Sequence, residues 1–393
     1  MEFLQHFVQP TTPMEKNGHE SIGLNGRFSY PLFNLPANQV SVNSGFNLES
    51  GRAYVDEFQS NPTVGSFVQG QHYDFDVLMN SLALSSEIKY RIVPAVTVTA
   101  GLRYDDQFYN YDTNTPANTV GRYTRLPDRN DKFGNWGFNL GAVWDWSQHH
   151  QLYVSGASGF RAPQIAELYR LEGGVPANAV QSEKIDSVEL GLRGNFKPAV
   201  GDSLLYEIAV FDMFKNHVIF KDASKQYIGD GKTSHEGVEL TLDYRFMQTA
   251  YIKTAATYAE HRYEAINGTL QYSPAGNING NLIDTAPRYM GSVQVGNNFS
   301  WGLMEFEIKD MGPYYLNPEN TMAYEGHHLL NLRAIWNLEH DWKVGMRLLN
   351  MLNTDYAERA DTKPIVPVPV TPVARYFVGE PRSLYVSIEK TFY

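Results

Sequence analysis

The chain has 393 residues, with 32 lysines and arginines against 43 aspartates and glutamates; its net charge of -11 and lack of a basic cluster give no electrostatic case for nucleic-acid binding. It has no cysteine, which excludes disulfide scaffolds, thiolate zinc sites and cysteine nucleophiles together. Aromatic residues make up 13% and charged residues only 19%, yet no apolar run is long enough to cross a bilayer as a helix, so the composition is that of a chain of strands and turns.

In chain order, Met1 is followed by EFLQHFVQP, which has neither the basic start nor the apolar stretch of a signal peptide, so export would need a signal outside these residues. PLFNLPANQ, residues 31–39, reads as a short connection. Period-two alternation dominates from end to end, and helical stripes are hard to find. In VTVTAGLRYDDQFYNY, Val96, Val98, Ala100, Leu102 and Tyr104 share one face, while Thr97, Thr99, Arg103, Asp105, Gln107, Tyr109 and Tyr111 share the other. That second face is too polar for a protein core.

The same split recurs down the chain. Trp136, Phe138, Leu140, Ala142, Trp144 and Trp146 oppose Gly137, Asn139, Gly141, Val143 and Asp145. Val188, Leu190 and Leu192 oppose Glu189, Gly191 and Arg193; Val238, Leu240 and Leu242 oppose Glu239, Thr241 and Asp243. Trp336 and Trp342 flank the turn NLEHD at the ends of two aliphatic faces, with Val344 on one face and Arg347 opposite it. Rings at the ends of an apolar face form an interfacial girdle, and the runs approach the roughly 9–11 residues that a tilted strand needs to cross a bilayer.

Connections are a second signal. Short ones are expected near 31–39, 91–95, 147–149, 198–201, 247–248, 298–299 and 339–340. Long ones are expected near 9–18, 59–76, 112–133, 161–183, 222–232, 264–285, 313–325 and 353–383. They alternate throughout, as the inner turns and outer loops of an outer-membrane barrel do, which leads to an all-β, antiparallel transmembrane barrel with about sixteen strands. No domain boundary interrupts the series, so residues 1–393 are read as one barrel domain.

Between a strand over 151–158 and the next near 183 stands GFRAPQIAELY, residues Gly159, Phe160, Arg161, Ala162, Pro163, Gln164, Ile165, Ala166, Glu167, Leu168 and Tyr169. Pro163 ends the strand by removing a donor, and QIAELYR is long enough for a turn or two of helix. This segment and the strand after it resemble TonB-dependent outer-membrane receptors; QSEK at 181–184 departs from their Pro-Glu-Lys. Residues 314–338, 344–361 and 376–393 resemble the last strands of their ferric-siderophore branch. The resemblance implies a plug, a TonB-contacting motif and a barrel of about 22 strands, so this chain is expected to be the C-terminal barrel portion without plug or first strands. It also implies that Arg161 and its neighbours hold the loop base to the wall. A guanidinium can do this by donating to carbonyls of the irregular backbone.

No catalytic set converges on one level, so no enzyme activity and no cofactor are expected. His149-His150 and His327-His328 are adjacent pairs whose rings point to opposite faces in a strand, so neither pair can chelate through its own two rings. Inward charges such as Arg103, Asp145, Glu189, Arg193, Glu239, Asp243, Arg245, Arg333 and Arg347 are expected to pair with each other or with a plug. KPIVPVPVTPV, with Pro364, Pro367, Pro369 and Pro372, is expected to be a stiff extended piece of the last outer loop. Tyr109 and Tyr111, and Tyr314 and Tyr315 at another loop, are the candidate contacts for an anionic, aromatic iron chelate. The partners implied are outer-membrane lipid, an iron–siderophore or similar small ligand, and the TonB system through a plug. A passive sixteen-stranded pore and a structural surface barrel are the alternatives.

Overall fold

The computed structural model describes residues 2–6, 13–34, 39–172, 180–221, 227–266, 277–365 and 371–392. One antiparallel sheet runs through them in sequence order. Its strands are β1 (Glu2–His6), β2 (Met14–Asn34), β3 (Gln39–Gln59), β4 (Gly70–Val93), β5 (Val96–Thr113), β6 (Arg129–Asp145), β7 (His150–Arg161) and β8 (Glu183–Phe196). They continue as β9 (Ser203–Lys221), β10 (Tyr227–Phe246), β11 (Ala250–Ala265), β12 (Tyr289–Phe299), β13 (Gly302–Met311), β14 (His327–Asn337), β15 (Trp342–Leu349) and β16 (Ser383–Lys390). Each strand pairs with the next, so every connection is a hairpin. The helix α1 (Ile165–Tyr169) lies within the GFRAPQIAELY segment.

Alternation explains the wall. On β6, Trp136, Phe138 and Leu140 are exposed, while Gly137 and Asn139 line the inner cavity. The register pairs Leu240 with Ile208 and Ala256, and Val344 with Trp336 and Ile388, extending the outward apolar set across neighbouring strands. Inward polar groups find partners across the strands: Gln294 and Asn331 each donate to Glu307 at 3.0 Å, and Tyr153 donates to Glu207 at 2.8 Å. Arg103 donates to both Asp105 oxygens at 2.6 and 2.8 Å, and Arg193 donates to Gln151 at 2.7 Å. The sequence-expected inward charges Arg103 and Arg193 thus have partners within the wall itself.

Aromatic rings collect beside the short turns. Trp144 and Trp146 meet edge to face at 6.2 Å, Trp301 stacks between Phe299 and Trp336 at 4.9 and 5.9 Å, and the Lys390 ammonium sits 4.8 Å over Trp342. The turns themselves are tight. Met247 and Gln248, and likewise His340 and Asp341, take consecutive positive φ values between 52° and 65°, which matches the right-handed twist of the strands they join. Gly302 opens β13 at φ 149°, where an added Cβ would lie 1.8 Å from the Ile335 carbonyl oxygen.

Three expectations need correction. Pro31 does not end β2; the strand runs on to Asn34 with a register shift between Pro31 and Phe33, which absorbs the missing donor, and the connection shrinks to 35–38. The strands also reach further into the outer loops than expected: β2 begins at Met14, β4 at Gly70 and β10 at Tyr227. The last outer loop is not merely extended, since Ala357–Ile365 and Thr371–Val378 pair as a separate hairpin with Pro364 opposite Pro372. Two-stranded pairing leaves one side of each strand free, so prolines are tolerated there. Pro367 and Pro369 lie outside the described residues.

Candidate binding site at the outer mouth

The outer ends of β4 and β5 turn an apolar face inward. Tyr73, Phe75, Val77, Tyr109 and Tyr111 form a buried core with Tyr123 and Leu126 of the β5–β6 loop and with Leu168, Tyr169 and Leu171. This is why the segment after β7 reads AELYRL: α1 brings Leu168 and Tyr169 into that core, and Tyr169 stacks on Tyr111 at 4.6 Å with the rings 19° apart. The Tyr169 hydroxyl donates to Asp131 at 2.7 Å, which closes the packing over β6.

Arg161 organises the base of this loop. Its terminal nitrogens donate to the two Glu167 oxygens at 3.0 Å each, and its Nε donates to Glu183 at 2.7 Å. Glu167 in turn accepts the Gln164 backbone N–H at 2.7 Å, completing a capping box on α1. Glu183 accepts the Ile219 N–H at 2.8 Å, so one guanidinium ties β7, α1, β8 and β9 together. Its partners are carboxylates rather than the carbonyls expected, and Glu183 supplies one of them from the divergent QSEK. Burial raises the Glu183 carboxyl, but Arg161 and the Ile219 N–H outweigh it and hold the group below its usual range.

A second buried network went unread in the sequence. Arg170, directly after α1, donates to Glu15 on β2 at 3.1 and 2.5 Å and to Glu57 on β3 at 2.5 Å. Glu57 also meets His72 Nδ1 at 2.9 Å, while His72 Nε2 faces the Val68 carbonyl at 2.7 Å. Burial pushes the Glu57 carboxyl up, yet the His72 hydrogen bond and the Arg170 charge more than reverse this, leaving it below the ordinary carboxylate value. The sequence signal was present as carboxylates on inward positions at loop height, but nothing there named their arginine.

Beneath these loops the wall encloses a cavity of about 940 Å³, lined by Arg27, Asn43, Glu87, Arg103, Asp105, Gln107, Asn139 and Arg161 among others. Its size is at the upper end for small-molecule sites, and its lining mixes three guanidiniums with two carboxylates and several neutral donors.

The four candidate tyrosines do not converge. Tyr109 is 9% exposed and donates to Gln107 and the Pro163 carbonyl at 3.0 and 3.3 Å, and Tyr111 is 1% exposed. Tyr314 lies in a different loop core with Leu316, Ala357 and Ala360, where its hydroxyl accepts the Ala360 N–H at 2.9 Å. Tyr315 is half-buried, and its carbonyl accepts the Thr285 N–H at 2.8 Å. Burial raises the hydroxyls of Tyr109, Tyr111 and Tyr314, so all three are neutral at neutral pH. Of the adjacent histidines, His150 meets the Tyr206 hydroxyl at 2.9 Å and His149 the Asn195 carbonyl at 3.2 Å, while His327 meets Tyr324 at 2.9 Å and His328 meets Asp310 at 2.8 Å. In each pair the two rings have separate partners.

The family model described as TonB dependent receptor-like, beta-barrel matches residues 7–351. Among solved structures, the ferric citrate transporter FecA in its unliganded form superposes with a TM-score of 0.77 at 16% identity, over 98% of this chain and 56% of that one. The ferric yersiniabactin uptake receptor FyuA from Yersinia pestis gives 0.72 at 14% identity, over 100% and 57%. The copper transporter OprC gives 0.71 at 12%, over 98% and 59%. The chain spans little more than half the length of these proteins, and at such identities the likeness is one of fold.

Proposed function

The chain belongs to the TonB dependent receptor-like β-barrel family, and on that premise we propose that residues 1–393 form the barrel part of an outer-membrane receptor that takes up an iron–siderophore type ligand without chemistry upon it. The carrying observation is the division of the wall: an outward apolar belt with rings beside the short turns, and a polar cavity of about 940 Å³ inside, roofed by buried loop cores. Arg27 in that cavity offers an anionic chelate counter-charge, Arg103 and Arg161 being already paired with Asp105, Glu167 and Glu183, and Tyr315 is the candidate tyrosine with surface left for contact. Tyr109, Tyr111 and Tyr314 act by shaping the loops around it.

The plug and further strands belong to this reading as well. Residues 20–34 of β2 have no paired strand on the side away from β3, and β16 has none beyond β15, among the described residues. A bare strand edge cannot face lipid, because each unpaired N–H and C=O there costs several kcal/mol on the order of a lost hydrogen bond. Strands from outside residues 1–393 would satisfy both edges, and the TonB system would act through a plug between them.

The test is uptake. Outer membranes carrying residues 1–393 behind an added signal peptide are compared with membranes carrying the same residues joined to a plug and first strands from a relative. Energised accumulation of an iron chelate by the joined protein alone supports the reading. Accumulation by residues 1–393 alone overturns it, and a steady passive conductance in a planar bilayer favours the sixteen-stranded pore instead.

A further inference from the structure

Away from the cavity and the motif, three strands bring nitrogen and sulfur ligands to one level of the inner wall. The register pairs Met213 of β9 with His235 of β10, and His235 with His261 of β11. All three lie on the inward face, two residues along from the register row of Phe211, Gly237 and Ala259. The outward positions at this height are Asp212, Ser234, Glu236, Glu260 and Arg262, so the row stands above the apolar belt.

The two imidazoles already meet head on. Their Nδ1 atoms are 2.8 Å apart, and His235 Nε2 lies 2.9 Å from the Thr233 hydroxyl. Lys215 stands on the same inward face of β9, opposite Thr233 in the register. With Nε2–H of His235 donated to Thr233, its Nδ1 is a lone pair that accepts the His261 Nδ1–H. Moving that proton to His261 Nε2 presents two facing lone pairs. A metal between them at about 2.0–2.1 Å from each nitrogen needs the rings to part by only ~0.5–1.3 Å. Lys215 on the same face opposes a hard divalent ion, whose binding rests on charge; a soft monovalent ion binds through donor polarisability, which imidazole and thioether supply.

We propose that Met213, His235 and His261 form a binding site for a soft monovalent metal ion, Cu(I) in chemical class, with Thr233 orienting His235. Among the described residues no group of three or more histidines and carboxylates could hold a metal, so the thioether is the distinguishing third donor.

The experiment uses Ag(I) as the probe on the full chain folded in detergent, read by calorimetry and by metal-edge X-ray absorption. The expected result is one tight ion per chain with two nitrogen neighbours and one sulfur. His235→Ala and His261→Gln should each abolish the tight component, Met213→Leu should remove the sulfur neighbour, and Thr233→Val should weaken binding about tenfold. His149→Ala should leave all of this unchanged. His261→Gln keeps a hydrogen-bonding side chain, and an unchanged strand signature in circular dichroism separates lost ligation from lost folding. Zn(II) binding as tightly as Ag(I), or tight Ag(I) binding that survives His261→Gln in a folded protein, overturns the proposal. These readouts do not depend on chelate uptake.

Discussion

Arg161 and Glu167 face each other as a fork against a fork, with both terminal guanidinium nitrogens 3.0 Å from the two carboxylate oxygens. Because Arg161 also reaches Glu183, the pair is the hinge point between a strand of the wall and the loop core above it.

Replacing Arg161 by Ala should therefore release α1 rather than the wall. The hydrogen bonds lost are to charged groups but stand partly in solvent, so the local cost is about 1–3 kcal/mol. Faster hydrogen exchange across 164–171, with unchanged heat-modified mobility of the barrel on a gel, is the expected outcome. Arg161→Lys should rescue little, since an ammonium cannot make the paired bonds.

Glu57 predicts an acid-sensitive roof. Its carboxyl is held below the ordinary 4.5 by His72 and Arg170, so the stabilisation it gives is complete above that value and is lost as pH falls through the lower, folded value. Exchange of the Val68–Phe75 amides should rise below about pH 4.5. In Glu57→Gln the loops should be looser at neutral pH and lose this acid dependence.

The wall predicts asymmetry between adjacent positions. Leu240 is outward, paired with Ile208 and Ala256, whereas Thr241 borders an inner pocket with Arg193 and Glu207. Leu240→Arg should cost about 2–4 kcal/mol if it lies near the bilayer midplane, and Thr241→Arg far less. Urea midpoints in lipid vesicles measure the difference.

The tyrosines should separate by burial. In a complete receptor built around this sequence, Tyr111→Ala should lower loop stability by about 3–5 kcal/mol, as aromatic truncations in cores do. Tyr315→Ala should weaken chelate binding with the loops intact. Equal effects of the two on binding, with no loosening by Tyr111→Ala, would contradict these roles.

Much of this was legible in the residues. Alternation and the tryptophans beside the turns marked the outward face, because one face of each strand meets a different solvent from the other. The motif marked the loop base. The reach of β2 through Pro31 was not legible, since a bulge hides the missing donor. Nor was the apolar inward face of Tyr73, Phe75 and Val77, because it answers to a loop core built from residues far along the chain. His235 and His261 lie 26 positions apart, and only strand register makes them neighbours.

The central claim is a wall with lipid on one face and an aqueous lumen on the other, and the absence of cysteine gives a clean background for testing it. Single cysteines placed in turn at 137–140 and 238–241, labelled with a fluorophore in vesicles containing brominated lipid, report which side chains touch acyl chains. The account predicts strong quenching at 138, 140, 238 and 240 and weak quenching at 137, 139, 239 and 241. Quenching without that alternation, or with the two sets exchanged, would contradict it.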